Sequence, residues 1–506
     1  MTQHAVTQHA GTRAAGPAPG DGGEVYADFR VTALAAPRTP AVISPDGATT
    51  SYGGLLDAVE SAARRLADTL GPGDVLGLAV DDPLAFVTVY LAASKLDQVT
   101  VLLDGRIEPH GTPQGASRFD VTVLAVADGA GSFALSPLAG RAPSGGVPAP
   151  AYLPDDFVVH CTSGSTGEPK GIVMTGSAVS ARVRLWAGEM ELTAADTVLC
   201  ALPLWHCHGI DVLTLPALLS GATVVFARGD RLTGRGLARI VGRHGVTVMS
   251  GLPVMYGMLT GVSGARPGDL ASLRLAISGS APLDPAVQAL FHERFGLPLR
   301  QVYGLSEIAV ICFDRRYTGH GSIGLPVAGV EHRLEPVPAQ DGQEGPAYEL
   351  YVRGPGLARG YYSDPEATAE MFEDGWLRTH DLVSADPDGW YVLGRRSTFV
   401  NVAGSKVGPL EVEAALRDCP GVLDAAVVGV PDARTTERIA AVVVTGDGFD
   451  LAAVRRDLGG RLHPHQLPRQ YRVTAALPRT PLGKTDYAAV KRLVLDQEGE
   501  TACPAQ

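Results

Sequence analysis

Cysteine is scarce and badly spaced for chemistry. Six in 506 residues (Cys161, Cys200, Cys207, Cys312, Cys419 and Cys503) form no C-x-x-C pair. That argues against zinc binding and against a disulfide framework. No run of about 18 apolar residues occurs, so no membrane span is expected. Positive charge is also short: 42 Lys and Arg stand against 54 Asp and Glu, a net charge of −12. A chain of that sign is disfavoured as a binder of phosphate backbones, so no nucleic-acid partner is expected, though a local patch for a nucleotide is compatible with it. Residues 1–25 lack a basic start followed by an apolar block. They read as a flexible tail rather than a signal peptide, and the protein is expected to be cytoplasmic.

What is present is ordinary globular material, 45% hydrophobic and 19% charged, in a chain too long for one core. Apolar residues fall at helical spacing over Leu55–Leu70 and Leu84–Leu96, each followed by a short apolar strand, Val75–Val80 and Val99–Leu103. This alternation predicts an α/β fold with a parallel sheet covered on both faces. Residues 129–154, rich in Gly, Pro, Ser and Ala, read as a surface connection. Strands resume at Phe157–Cys161, Thr223–Phe226, Val246–Met249 and Leu273–Ile277. From about Glu331 the strands alternate, Tyr348–Arg353 and Trp390–Leu393, with Asp374-Gly375 and Asp388-Gly389 as turns, which predicts a small antiparallel sheet or barrel. Beyond Gly394-Arg395, helices over Leu410–Arg417, Leu451–Leu462 and Asp486–Leu493 intersperse with strands Val422–Val430, Ile439–Val444 and Tyr471–Leu477, a compact α+β unit.

The sharpest local signal is Thr162-Ser163-Gly164-Ser165-Thr166-Gly167-Glu168-Pro169-Lys170-Gly171, directly after an apolar strand. Glycines let a backbone turn tightly and aim N–H groups at phosphate oxygens; the hydroxyls add donors and Lys170 a mobile cation. It is not a Walker loop, because Pro169 stands where the second Gly is required and Gly171 follows the lysine.

This decapeptide resembles the phosphate-loop signature of the adenylate-forming superfamily: acyl-CoA synthetases, adenylation domains of nonribosomal peptide synthetases, and beetle luciferases. Further segments of that family follow in its order. Pro203-Leu204-Trp205-His206 resembles the Pro-aromatic-His segment beside the acyl pocket, and Ser278-Gly279-Ser280-Ala281-Pro282-Leu283 the loop against adenine. Tyr303-Gly304-Leu305-Ser306-Glu307, Leu377-Arg378-Thr379-His380-Asp381, the Gly394-Arg395 hinge and Pro478-Arg479-Thr480-Pro481-Leu482-Gly483-Lys484 complete the set. The resemblance covers Tyr26 to Val494. It implies a large N-terminal domain over 26–394, made of two α/β subdomains and a small β-barrel-like part that binds ATP and the acid. A mobile α+β lid over 395–497 and a tail over 498–506 would follow.

The resemblance further implies ATP-dependent conversion of a small carboxylic acid to acyl-AMP, then transfer to a thiol, with ATP and Mg²⁺ as cofactors. A carboxylate and an α-phosphate must meet in the transition state, so cations aimed at the developing charge are needed. Lys484 is the catalytic candidate to bridge them, and Glu307 a hard oxygen ligand for magnesium. Ser306 would bond the α-phosphate, Tyr303 stack on adenine, Asp381 accept from the ribose hydroxyls, and Arg395 donate to ribose or phosphate. His206 would gate the carboxylate pocket. The segment around Gly404 would face the incoming thiol once the lid rotates.

Two positions depart from the pattern: Ser397 stands at the hinge where Asp or Lys is usual, and His380 where most members have Gly. His208 falls where amino-acid adenylation domains hold an amino-recognising Asp, which disfavours an α-amino acid, although Asp211 could meet an amine placed further out. Val302 precedes the Tyr-Gly segment where malonate-type ligases place Arg. The other inferred pocket positions, Gly209, Val212, Gly251, Ala276, Ser278, Val310 and Ile311, are small or apolar apart from one serine. Such a lining suits a short, medium or aromatic apolar acid. Only 22 residues follow Lys484, so the thiol is expected to be free CoA or the phosphopantetheine of a separate carrier protein. Alternatives are a β-amino or other unusual amino-acid activator loading a carrier in trans, a ligase that stops at acyl-AMP, and a non-catalytic nucleotide binder.

Overall fold

The computed structural model describes residues 23–105, 115–129, 131–138, 152–163, 169–227, 232–261, 264–317, 321–337, 346–395, 399–402, 405–432, 435–480 and 484–496. Two sheets dominate the first two-thirds of the chain. One has nine strands, of which six neighbours run parallel: Pro40–Ile43, Thr223–Phe226, Thr197–Cys200, Val248–Gly251, Leu275–Ser278 and Leu299–Tyr303. The other has seven, with a parallel centre of Asp156–Ser163, Thr100–Leu102, Leu76–Ala79 and Val123–Ala127.

Helices Glu24–Ala35, Tyr52–Thr69, Pro83–Lys95 and Gly176–Glu189 join one continuous core with both sheets. Pro83–Lys95 shows why it sits inside: it is apolar on every side and buries ten consecutive residues, Ala85 to Ser94. An all-round apolar helix needs cover on all faces. Its start is set by Pro83 at the first turn and by Asp82, whose carboxylate accepts from Ala85 N at 2.9 Å. Trp186, 2% exposed, packs edge-on against Phe313 at 5.1 Å and donates to Val212 O at 2.9 Å. Trp186→Ala would cost about 3–5 kcal/mol.

The segment read as a mere surface connection contains a strand, Phe133–Pro137, paired antiparallel with Val123–Ala127. Phe133 is buried beneath the Arg65 guanidinium, 4.1 Å from its ring centre. Five residues of strand are too few to outweigh the glycines and prolines around them; residues 139–151 lie outside the described residues. Further on, Glu331–Val337, Ala347–Arg353, Trp376–Asp386, Phe372–Glu373 and Gly389–Arg395 form an antiparallel sheet. From Val400 a separate five-stranded sheet follows, its long hairpin Val422–Asp432 and Thr436–Thr445 flanked by helices Pro409–Arg417, Leu451–Arg461 and Tyr487–Leu495. Each face of that sheet carries its own core.

Candidate active site

The parallel strands of the nine-stranded sheet end together at Gly251, Ser278 and Tyr303, and polar residues collect at that carboxyl edge. This is the crevice where ligands bind in open α/β sheets. A turn through Pro203 and His206 leads into a π-helical stretch, His208–Thr214. Gly209 is packed hard against this turn: a side chain there would put Cβ 2.2 Å from Pro203 O. Wide i→i+5 turns of this kind recur at functional sites.

Two imidazoles start the stretch. The backbone N–H of His208 donates to His206 Nδ1 at 3.2 Å, so the His206 ring proton lies on Nε2. Burial, reinforced by Lys484, pushes His206 well below the ordinary histidine range. His208 has one ring nitrogen 2.8 Å from Ser280 Oγ and the other 2.8 Å from Ser250 Oγ. Burial pushes it down to about 3, with Lys484 adding to the effect. Both rings are therefore neutral at physiological pH. Ser280 holds its hydroxyl there from a left-handed backbone, φ 65°.

Lys484 arrives from the C-terminal part on a tight turn closed by Thr480 N to Lys484 O at 2.8 Å and by a bridge between Arg479 and Thr485. It lines, with His206, His208 and Ser280, a cavity of about 1130 Å³ whose other walls include Leu252 and Met255. Burial lowers the pKa of its ammonium, and Arg395 lowers it further. Val302 reaches the same region from behind Gly279, whose Cβ, if present, would lie 2.5 Å from Val302 Cγ1 and 3.5 Å from His208 Cε1. Gly251 closes its strand over Met255, with Sδ at 2.8 Å from where a Cβ would stand. Ser278 is buried, and its hydroxyl has no hydrogen-bond partner among the described residues. Val212 is buried, and Val310 lines a separate, far smaller hollow beside Arg182 and Trp186.

Tyr303 Oη donates to Asp381 Oδ2 at 2.5 Å, and Arg395 Nε lies 3.2 Å from Asp381 Oδ1. Burial raises Asp381, opposed by Arg395 and Tyr303. His380 adopts a left-handed backbone, φ 57°, with Nδ1 3.3 Å from Glu349 Oε1. That conformation explains a preference for glycine, and histidine is among the few other residues enriched there. Ser306 and Glu307 follow Gly304 in the turn after the strand Leu299–Tyr303. Glu307 Oε1 accepts from Tyr361 Oη at 2.6 Å, and Lys170 Nζ stands 5.2 Å from the centre of the Tyr361 ring. Thr162 and Lys170 pair across an antiparallel hairpin, with Thr162 Oγ1 3.4 Å from Lys170 O. Gly164, Ser165, Thr166 and Gly167 lie outside the described residues, as do Ser397 and Gly404; Ser163 enters only through its backbone pairing with Pro169.

Among the described residues no group of three or more His, Cys, Asp or Glu could hold a metal alone. A single carboxylate such as Glu307 suits magnesium, which takes its remaining ligands from phosphate and water. Reasoning from sequence did not find Tyr361, or a buried trio beneath the site. Arg182 pairs with Asp211, and His160 Nε2 lies 3.0 Å from both Asp211 Oδ2 and an Arg182 nitrogen. Burial would raise Asp211, but Arg182 and His160 outweigh it and hold the carboxylate low. Asp211 is thus committed to these partners rather than free to meet an amine. The trio comes from three distant segments, so no spacing announces it.

Residues 29–362 match the family described as AMP-binding enzyme, and residues 411–484 match its C-terminal domain. A sulfoacetate–CoA ligase of Cupriavidus necator is 33% identical over 481 residues, 92% of this chain and 89% of that protein. A feruloyl-CoA synthase of an Amycolatopsis species is 35% identical over 68% of this chain and 71% of its own. The fold matches ATP-bound MatB of Rhodopseudomonas palustris, with a TM-score of 0.76, 24% identity, and 93% and 98% of the two chains covered. It also matches the o-succinylbenzoate CoA synthetase of Bacillus subtilis holding its acyl-adenylate, with a TM-score of 0.76, 23% identity, and 95% and 99% covered. No helix among the described residues is long and apolar enough to cross a membrane. With the fold and both of its parts matched, this chain belongs to the AMP-binding enzymes, as an AMP-forming acid–thiol ligase that uses ATP and Mg²⁺.

Proposed function

We propose that this enzyme activates a compact monocarboxylic acid as its acyl-adenylate and passes the acyl group to the thiol of free CoA. The observation that carries the reading is Lys484 lining one cavity with His206 and Ser280. In this reading the lysine meets carboxylate and α-phosphate, Glu307, held by the Tyr361 hydroxyl, would bind magnesium, and Tyr303, Asp381 and Arg395 take the adenosine. Ser306 and the Thr162–Lys170 hairpin serve the phosphates. His206, neutral and with its proton on Nε2, offers a donor into the cavity without adding charge.

The walls support the acid's class. Leu202, Trp205, Phe226, Leu252 and Met255 are apolar, both histidines are neutral, and among the described residues Lys484 is the only cation on the lining. A second anionic group on the acid would compete for the lysine that the reacting carboxylate needs. Acetate-sized, branched and aryl acids therefore fit better than a sulfonated acid such as that of the C. necator relative. Free CoA as acceptor is supported by relatives named as CoA ligases. Acid-dependent ATP–pyrophosphate exchange over a panel of aliphatic, aryl, sulfonated and dicarboxylic acids tests the acid. Mass detection of the acyl-CoA formed tests the acceptor. Strong exchange confined to sulfonated or dicarboxylic acids would overturn the assigned class.

A further inference from the structure

One buried guanidinium joins three separate segments that carry candidate site residues. Arg182, on the helix Gly176–Glu189, is 3% exposed. One of its terminal nitrogens pairs with Asp211 and stands 3.0 Å from His160 Nε2; the other donates to Ser306 O at 3.1 Å. Asp211 lies in the π-helical stretch that begins with His208 and follows His206. His160 belongs to the strand that runs into the phosphate hairpin. Ser306 immediately precedes Glu307, and the Glu307 carbonyl is itself held by Ala358 N at 2.7 Å.

A buried ion pair of this kind adds little to stability relative to apolar residues of the same volume, so stability alone does not account for it. Asp211 Oδ1, Arg182 Nε and His160 Nδ1 are buried without partners among the described residues, so the trio is not arranged for the greatest number of bonds. What it does satisfy are the contacts that run between segments. Resting on the adenylation reading above, we propose that Arg182 is a positioning residue for the first half-reaction. Through Asp211 it sets the stretch that carries His206 and His208. Through the Ser306 carbonyl it sets the peptide that aims the Glu307 carboxylate at the metal.

The two arms are separable by substitution. Arg182→Lys keeps a cation for Asp211 but cannot also reach the Ser306 carbonyl. Arg182→Met with Asp211→Asn removes both charges together, so that no uncompensated charge is left buried. The measurement is Mg²⁺-dependent binding of a non-hydrolysable ATP analogue by calorimetry, alongside acid KM and kcat in pyrophosphate exchange and a thermal melt. We expect Arg182→Lys to weaken Mg²⁺-dependent nucleotide binding by about tenfold, the worth of one charge-assisted hydrogen bond, while its acid KM stays near wild type. The double variant should lose both, and should still melt cooperatively. Folded variants with wild-type Mg²⁺ dependence would overturn the proposal. So would losses that merely track the unfolded fraction. Because the nucleotide-binding arm needs no turnover, absence of exchange in the wild type would count against the adenylation reading and leave the Arg182 result standing on its own.

Discussion

Tyr361 gives its phenolic hydrogen to one oxygen of Glu307, at 2.6 Å, while the Lys170 ammonium stands over its ring. A residue from the short strand Gly360–Tyr361 thus touches both the carboxylate proposed for magnesium and the lysine of the phosphate hairpin. Burial and Glu307 together raise the phenol's pKa, so it stays a donor throughout the working range. In Tyr361→Phe the ring contact survives and the hydrogen bond does not. The Mg²⁺ concentration for half-maximal exchange should rise by about tenfold, in line with a bond to a charged acceptor. An unchanged Mg²⁺ curve would remove Tyr361 from the site.

Lys484→Ala should lower pyrophosphate exchange by at least about a hundredfold, the scale of losing one group aimed at developing transition-state charge. Hydrolysis or thiolation of supplied acyl-AMP should be nearly unaffected. Equal loss in both half-reactions would deny the lysine its assigned step.

His208→Phe should destabilise the fold by about 1–3 kcal/mol, the cost of leaving the buried Ser250 hydroxyl unpaired, whereas Ser280 faces the cavity. Ser250 and Ser280 each depend on an imidazole nitrogen at 2.8 Å. A double variant, His208→Phe with Ser250→Ala, should recover part of the loss in a urea melt, and failure to recover any would show that Ser250 finds another partner.

Glu413 sits buried in the C-terminal part, where its carboxylate accepts from Tyr487 Oη at 3.0 Å and from Val427 N at 2.9 Å. Burial pushes it up to about 7 despite those bonds. Its folded pKa is therefore above the unfolded one, so the folded state binds more protons between about pH 4.5 and 7. Stability is fully present below that window and falls as pH rises through it, by up to about 3 kcal/mol. Glu413→Gln should flatten this slope, which chemical denaturation at pH 5 and pH 8 would reveal as a smaller difference between the two pH values than in wild type.

Much of this architecture was legible from local pattern. Thr223–Phe226 is a strand from sequence and in the fold, to the residue, because a threonine and three apolar β-formers in a row have few other uses. Asp374-Gly375 turns a hairpin with φ of 49° and 77°, the geometry that the Asp-Gly pair favours. The Asp388-Gly389 turn falls one residue earlier, since Gly389 already pairs with Asp386. The C-terminal helices and strands likewise lie within a few residues of their apolar periodicity. What pattern could not supply was anything that distant segments make together. The π-helical His208–Thr214 looks like an ordinary apolar run, and the Arg182–Asp211–His160 trio spans 51 residues of sequence with nothing in its spacing to connect it. The roles of the site residues came from the order of their motifs, and the partners of those residues only from the fold.

Burial of Lys484 in the cavity would couple proton binding to any movement of the C-terminal part that withdraws it. Docked, the ammonium is held below its usual pKa by burial and by Arg395. Withdrawn into water it would recover that pKa and take up a proton across the interval between the two values. Within that interval, and only there, raising the pH would favour the docked arrangement and lowering it a withdrawn one. Below that interval the lysine keeps its proton in both positions, so the charge its proposed step needs arrives with it, and docking carries the cost of desolvating an ammonium.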